Sequence, residues 1–348
     1  MNKIALVTAL ALVAACGNTP EPKHPNAPPA GTGSMTTQND PATGESGGKK
    51  IEGPVAPTNS DDVKQGIAAL KAGDTNGAKA AFEVATQKRP KQADAWHYLG
   101  LVNDQTGNRA DAEKDYRKAL ELQPDLEESA TNLSAILVET GRDDEAIALM
   151  KKAIARNARN AALQVNLGMA LSMKGDVDGA SKAFDEALRI DPNSTITYVT
   201  YADHLFRAGK KDDAIGKLKQ AEKLASQDAG VLASVALEYK AMKDFASCIA
   251  VLDKAVGLKD VAELRIYRGT CKLGRKDLSG ATTEFKDAVA KEPQNAIAHY
   301  SLGNALADGG KLADAVGEWE TYLRLAPDGP QAKAAQKRIE IAKKKLNK

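Results

Sequence analysis

The sequence predicts an all-α fold built from a repeated pair of helices. A small residue recurs along the chain at intervals of 34 residues, with one interval of 33. Between these positions, apolar residues are spaced three and four residues apart, which is the periodicity of amphipathic helices. Aromatic residues make up only 4% of the chain, and alanine, the strongest helix former, is abundant. Self-similarity at this period is typical of architectures in which helical units stack on one another.

Residues 1–16 have the pattern of a secretory targeting segment. Lys3 precedes an apolar run over residues 4–15. This run is too short to span a bilayer, which takes about 20 residues. The letters VAAC that end at Cys16 resemble the lipobox of bacterial lipoproteins. The resemblance implies that Cys16 becomes the acylated N-terminus, and Gly17 after it favours the outer membrane over the inner one. The alternative is an ordinary signal peptide with an incidental cysteine.

Residues 17–58 are predicted to form a disordered tether. Eight of the 14 prolines lie here, and Gly, Ser, Thr and Asn fill most of the remaining positions. Such a composition cannot bury enough apolar surface to offset the entropy lost on ordering. A flexible chain of this length has an r.m.s. span of about 35 Å. The remainder of the chain is therefore expected to act at a distance from the lipid.

The repeated units alternate small and large residues in fixed columns. One column holds only small residues: Gly66, Gly100, Ser134, Gly168, Ala202, Ala236, Gly269 and Gly303. A second column, in the second helix of each unit, holds large ones: Phe82, Tyr116, Met150, Phe184, Leu218, Leu252, Phe285 and Trp319. Small residues let two helix backbones approach closely, and the large residue fills the space beside them. A turn glycine, such as Gly107, separates the two helices.

These columns resemble the tetratricopeptide repeat, whose pattern begins with Trp, two residues, then Leu-Gly; the letters WHYLG at residues 96–100 match it. The seventh unit departs from the pattern, because Arg268 occupies its leucine position. The resemblance implies a right-handed α-solenoid of about eight repeats, with the first helix of each unit lining a concave face. The predicted units are 59–92, 93–126, 127–160, 161–194, 195–228, 229–261, 262–295 and 296–329.

Residues 330–348 are predicted to form a basic capping helix. Its apolar stripe consists of Ala335, Ile339, Ala342 and Leu346, while most lysines lie off that stripe. Terminal units of helical arrays need a polar outer face, so a solvated cap is favoured over a basic patch for anionic lipid.

Two cysteines lie inside the repeats. Cys248 and Cys271 fall where the helices need small buried residues. We expect both to be buried free thiols, and a disulfide between neighbouring helices is the alternative. The predicted export makes such a bridge chemically permissible.

The composition and motifs exclude several classes of function. A formal net charge of +2 argues against nucleic-acid binding, which usually needs a strong basic excess. The four histidines are isolated from one another and no pair has metal-ligand spacing. No phosphate-binding glycine loop or nucleophile–base arrangement is evident. We therefore expect no enzyme, no metal, no cofactor and no small-molecule substrate.

The candidate binding surface is the row of residues two positions before the small column. Asn132 and Asn166 in this row resemble asparagines with which some tetratricopeptide-repeat proteins grip a peptide backbone, since an amide pairs with both N–H and C=O groups. Methionine suits varied partners. The predicted peptide groove, centred on units three to five, comprises Tyr98, Asn132, Asn166, Thr200, Val165, Met169, Met173 and Phe206. The alternative is that these residues only pack or solvate helices.

The sequence thus predicts a membrane-anchored scaffold in the bacterial envelope, facing the periplasm from the outer membrane. By resemblance, its partner is a protein segment or complex of an envelope machine such as a pilus, secretin or motility complex. Alternatives are an adaptor for peptidoglycan enzymes and an accessory component of envelope polysaccharide enzymes.

Overall fold

The computed structural model describes residues 60–347, which form seventeen helices and no strand. Cys16, the targeting segment and the tether lie outside the described residues. The helices are α1 (Asp61–Lys71), α2 (Thr75–Lys88), α3 (Ala93–Gln105), α4 (Arg109–Leu122), α5 (Glu127–Glu139), α6 (Asp143–Ile154), α7 (Ala161–Lys174), α8 (Val177–Ile190), α9 (Thr195–Arg207), α10 (Lys211–Leu224), α11 (Ala229–Ala241), α12 (Phe245–Leu258), α13 (Ala262–Gly274), α14 (Leu278–Lys291), α15 (Ala296–Asp308), α16 (Leu312–Leu325) and α17 (Ala332–Leu346).

The described helices divide into two compact bodies, residues 60–193 and residues 194–347. In each body, consecutive helices pack as pairs, α1 on α2 and α3 on α4 in the first, α9 on α10 and α11 on α12 in the second. The predicted all-α fold of repeated helix pairs is therefore confirmed for the described residues.

The small and large columns pack against each other as predicted. A Cβ atom added at Gly100 would lie 2.9 Å from the ring of Tyr116, and one at Gly168 would lie 2.9 Å from the ring of Phe184. Real Cβ contacts are not this short, so the aromatic ring fills the space that a side chain would need. The large column is buried in both bodies, with Phe285 only 1% exposed.

Among residues 60–347, eight residues in the turns within the helix pairs adopt a left-handed backbone conformation. Six of these are glycines: Gly73, Gly107, Gly141, Gly175, Gly209 and Gly310. Lys243 and Lys276 take the same conformation, with φ of 59° and 64°. A side chain in this region costs about 1–2 kcal/mol relative to a right-handed one. Asp277 then caps the following helix, since its Oδ1 accepts a hydrogen bond from the Gly280 N–H at 2.9 Å.

The prediction of free thiols at Cys248 and Cys271 is wrong. Both side chains are fully buried and form a disulfide between α12 and α13, with a Cα–Cα distance of 6.3 Å. Columns of small residues on adjacent helices bring the two sulfur atoms together, so the alternative considered from sequence is the one observed. The bridge joins two consecutive helix pairs.

Arg268, which replaces the leucine of its column, is accommodated by charge pairing. Its guanidinium donates hydrogen bonds to Asp253 and Glu284, both at 2.8 Å. Lys272 Nζ also donates to Glu284, at 2.6 Å. Glu284 is only 4% exposed. Burial acts to raise the pKa of its carboxyl, but hydrogen bonds and charge from Arg268 and Lys272 outweigh burial, so this pKa lies below its usual value.

Helix α17 packs on α16 through most of its predicted stripe. Ala335 and Ala342 are buried and Ile339 is half-buried. Leu346, the last residue of the helix, is 49% exposed, so the stripe is not buried at this end. Lys343 Nζ pairs with Glu320 of α16 at 2.7 Å.

Candidate functional site

The first helices of the pairs, α3, α5 and α7 in the first body, carry the predicted asparagine row. Asn132 is 4% exposed and its Nδ2 donates a hydrogen bond to the Tyr116 hydroxyl at 3.1 Å. Asn166 is 7% exposed and its Nδ2 donates to the Thr131 carbonyl at 3.2 Å and to Ser134 Oγ at 2.9 Å. The structure therefore places both amides in the packed layer between helices, not on an open surface. Their grip on a peptide stays a prediction, and it would require both to leave these partners.

Three other predicted residues are also engaged in packing. Val165 is 3% exposed. Thr200 is 6% exposed and its hydroxyl donates to the Ile196 carbonyl at 2.9 Å. The half-buried Tyr98 stacks on the Phe82 ring, with the ring centroids 5.3 Å apart. These positions shape the helix-to-helix contacts more than they offer binding surface.

Met169, Met173 and Phe206 keep part of their apolar surface open. Each is half-buried. Met169 and Met173 lie four residues apart on α7, so both face the same side of that helix. Met169 also packs against the buried cluster of the first body. A flexible thioether with one face open can adapt to different partner side chains. The first helices thus offer accessible apolar side chains, in each body separately.

A charged site on α9 and α11 was not singled out from the sequence. Asp203 and Arg207 lie one turn apart on α9, and Arg207 Nε contacts Asp203 Oδ2 at 2.9 Å. Glu238 on the adjacent helix α11 is 7% exposed. Burial and, to a smaller extent, the negative charge of Asp203 raise the pKa of Glu238 to about 8, although the positive charge of Arg207 opposes them. Burial likewise raises the pKa of Asp203, against the effect of Arg207.

One signal in the sequence could have found this site. Glu238 stands two positions after the small residue of its unit. In the other units, the residue at this position is small or apolar with the exception of His204: Ala68, Val102, Ile136, Ala170, His204, Cys271 and Ala305. A carboxyl group in such a column breaks the repeat pattern, and departures from a packing pattern concentrate at functional sites.

Neither a candidate metal-ligand cluster nor a candidate membrane-spanning helix occurs among residues 60–347. In that range, no group of three or more His, Cys, Asp or Glu side chains could hold a metal ion. No helix in the same range is long and apolar enough to cross a membrane. Cys16, the predicted lipidation site, lies outside these residues.

Comparisons with known proteins identify the repeated helix pair as a tetratricopeptide repeat. Family models described as tetratricopeptide repeat match residues 67–227 and 268–330. Protein FlbA of Caulobacter vibrioides is 30% identical over 138 residues, which are 30% of this chain and 23% of FlbA. The peroxisomal targeting signal receptor of Komagataella phaffii is 26% identical over 241 residues, 68% of this chain and 31% of the receptor. This chain therefore spans less than a third of the length of either curated relative.

Among solved structures, yeast Tom70 is similar in fold. It has a TM-score of 0.63 at 18% identity, over 86% of this chain and 67% of that chain. At this identity the likeness concerns the fold alone. The two regions matched by the family models together exceed half of the chain, and we conclude that this protein belongs to the tetratricopeptide-repeat family.

Proposed function

We propose that this protein is a lipid-anchored scaffold that captures a segment of a partner protein on the first helices of its repeats. The observation that carries the proposal is the partly open apolar surface of Met169 and Met173 on α7 of the first body; in the second body, Phe206 on α9 is likewise half-buried. Apolar side chains that a fold leaves partly uncovered are suited to receive a partner. The name of one relative, a targeting signal receptor, supports capture of a protein segment.

The proposed location is the bacterial envelope, with the chain held by acylated Cys16 at the outer membrane and facing the periplasm. The targeting pattern of residues 1–16 supports export. The Cys248–Cys271 disulfide is an independent support, because disulfides persist in oxidising compartments and are rare in the bacterial cytosol. At that location the partner would belong to an envelope machine, such as a pilus, secretin or motility complex.

Anchoring has a physical consequence for capture. A binding surface held near a membrane meets a partner of the same membrane at a raised effective concentration. Weak and adaptable contacts are then sufficient, which is consistent with methionines at the open positions.

The capture surface is tested by photocrosslinking in the native cells. Benzoylphenylalanine is placed at Met173 or Phe206, and at Val84 of the second helix α2 as the matched control, since Val84 is 38% exposed but belongs to another helix column. Protein adducts at Met173 and Phe206 and none at Val84 are expected. Adducts at Val84 alone, or none anywhere, would overturn the proposal.

The anchor is tested separately by labelling with radioactive palmitate. We expect incorporation into the wild-type chain and none into Cys16→Ser. A wild-type chain that takes up no label, or a variant that takes up as much, would refute the lipid anchor while leaving the capture surface to the crosslinking result.

A further inference from the structure

Helix α17 concentrates basic charge on its solvent-exposed side. Six of its 15 residues are lysine or arginine, and its one acid is Glu340. Six positive charges less one negative charge give this helix a net charge of +5, whereas the whole chain carries a formal net charge of only +2. The excess of basic charge is therefore local to this helix and is not a general property of the chain.

The packing of α17 on α16 fixes the direction in which the basic side points. Ala335 and Ala342 are buried within the apolar cluster that the two helices share. The Tyr322 hydroxyl of α16 accepts a hydrogen bond at 3.1 Å from the backbone N–H of the residue that precedes α17. The Arg338 guanidinium lies over the ring of Trp319, 5.9 Å from its centroid. These contacts hold the alanine side of α17 against the fold and turn the opposite side to solvent.

Ile341 lies at the centre of that outward side. It is 47% exposed, and regular helix geometry points it about 120° away from the buried Ala335. Lys337, Lys344 and Lys345 stand three or four residues from Ile341 along the same helix, so their side chains surround it. All three lysines are exposed. One large apolar side chain is thus uncovered at the centre of three cations.

The three lysines have no anionic partner in the part of the chain that the structure describes. The ion pair that α17 forms there joins Lys343 to Glu320, with 2.7 Å between nitrogen and oxygen. The lysines of the outward side, Lys337, Lys344 and Lys345, form none with residues 60–347. Their charges are therefore available to an external partner of opposite charge.

We propose that this side of α17 binds an anionic membrane surface, with Ile341 at the acyl-chain boundary and the three lysines on lipid headgroups. A lysine stem can lie along an apolar boundary while its ammonium group stays with the headgroups. Each lysine close to an anionic lipid surface strengthens binding about fivefold. An isoleucine among the lysines gains from contact with acyl chains and gives nothing to a nucleic-acid backbone, so the chemistry of this face favours lipid.

This contact goes beyond segment capture and does not depend on it, because it uses α17 and not the first helices of the repeats. The helix would lie on the membrane surface and not cross the membrane. It would add a second attachment to the proposed acyl group at Cys16, and two attachments hold a protein at a membrane far more firmly than one.

Sedimentation with lipid vesicles tests the proposal on the full chain. Every sample carries Cys16→Ser, so that no acyl group contributes to binding, and all samples share residues 1–59. The vesicles contain phosphatidylcholine alone or an equal mixture of phosphatidylcholine and phosphatidylglycerol. We expect at least tenfold stronger binding to the mixed vesicles, and a loss of this difference at high salt. Equal binding to the two kinds of vesicle would overturn the proposal.

Two triple variants separate a local lysine cluster from net charge. Lys337→Gln, Lys344→Gln and Lys345→Gln together are expected to weaken binding to the mixed vesicles about 100-fold. Glutamine forms helices about as well as lysine, so the fold is retained. The control replaces three exposed lysines of the first body with glutamine and should keep binding within about twofold; they are Lys151, Lys152 and Lys182. Equal losses in the two triple variants would overturn the proposal.

The isoleucine has its own test. Ile341→Ala removes most of the exposed apolar surface without changing charge, and we expect binding to the mixed vesicles to fall about threefold. Unchanged binding would refute the contact of Ile341 with acyl chains.

Photocrosslinking in the native cells identifies what covers this face. Benzoylphenylalanine at Ile341 is expected to give phospholipid adducts by mass spectrometry, and the same group at the exposed Val84 of α2 is expected to give none. Adducts with protein or nucleic acid in place of lipid at Ile341, or no adducts, would overturn the proposal. Crosslinking at Met173 and Phe206 reports on segment capture separately, so either conclusion can fail without the other.

Discussion

The sharpest thermodynamic prediction concerns the buried acid Glu238. The pKa of Glu238 is about 8 in the folded chain, against 4.5 for the free side chain. Below pH 4.5 the group is neutral in both states. Between pH 4.5 and 8 the unfolded chain loses this proton while the folded chain keeps it, so the free energy of unfolding falls as pH rises. At pH 7 the difference of about 2.5 pH units corresponds to about 3 kcal/mol of lost stability.

Glu238→Gln removes this penalty, because glutamine does not ionise. We expect the variant to be about 3 kcal/mol more stable than the wild type at pH 7 and equally stable at pH 4. Urea unfolding followed by circular dichroism at several pH values measures both differences, and Glu83→Gln serves as the control with no change. A variant no more stable than the wild type at pH 7 would refute the raised pKa of the Glu238 carboxyl group.

Three further changes test the packing of residues 194–347. Lys276→Gly should stabilise the fold by about 0.5–1 kcal/mol, because it relieves a left-handed side chain at the expense of a more flexible unfolded chain; a lower melting temperature would contradict this. Glu284→Gln removes the buried carboxylate that Arg268 and Lys272 share, leaves Arg268 with Asp253 alone, and should cost about 3 kcal/mol at pH 7. Since the folded pKa of Glu284 lies below its usual 4.5, this deficit should vanish as acid protonates the wild-type carboxyl, and urea unfolding at pH 7 and pH 3 checks it. Replacing Cys248 and Cys271 with alanine should cost about 3 kcal/mol, and an unchanged urea midpoint would show that the bridge contributes nothing.

The packing of the repeat was predictable because it depends on local periodicity. The small column that includes Gly100 and the large column that includes Tyr116 follow from spacing along one chain, and neighbouring units repeat the same contact. The pattern therefore identified the core without knowledge of any long-range contact.

The polar sites were harder to predict, because they depend on which helix faces which. Asn132 belongs to the predicted row, but α4 supplies a tyrosine hydroxyl that accepts a hydrogen bond from its amide. Cys248 and Cys271 lie 23 residues apart, and only the observed Cα–Cα distance of 6.3 Å decides for a bridge. Glu238 was visible as an exception within its column, yet its raised pKa also depends on the charged side chains of α9.

Hydrogen–deuterium exchange tests the central claim, capture on the first helices, most directly. The chain is measured alone and with the partner segment that crosslinks at Met173. We expect slower exchange in the first helices that carry Met173 and Phe206, which are α7 and α9, and unchanged exchange in the second helices α2 and α14. Protection confined to the second helices, or no protection in the presence of bound segment, would contradict the account.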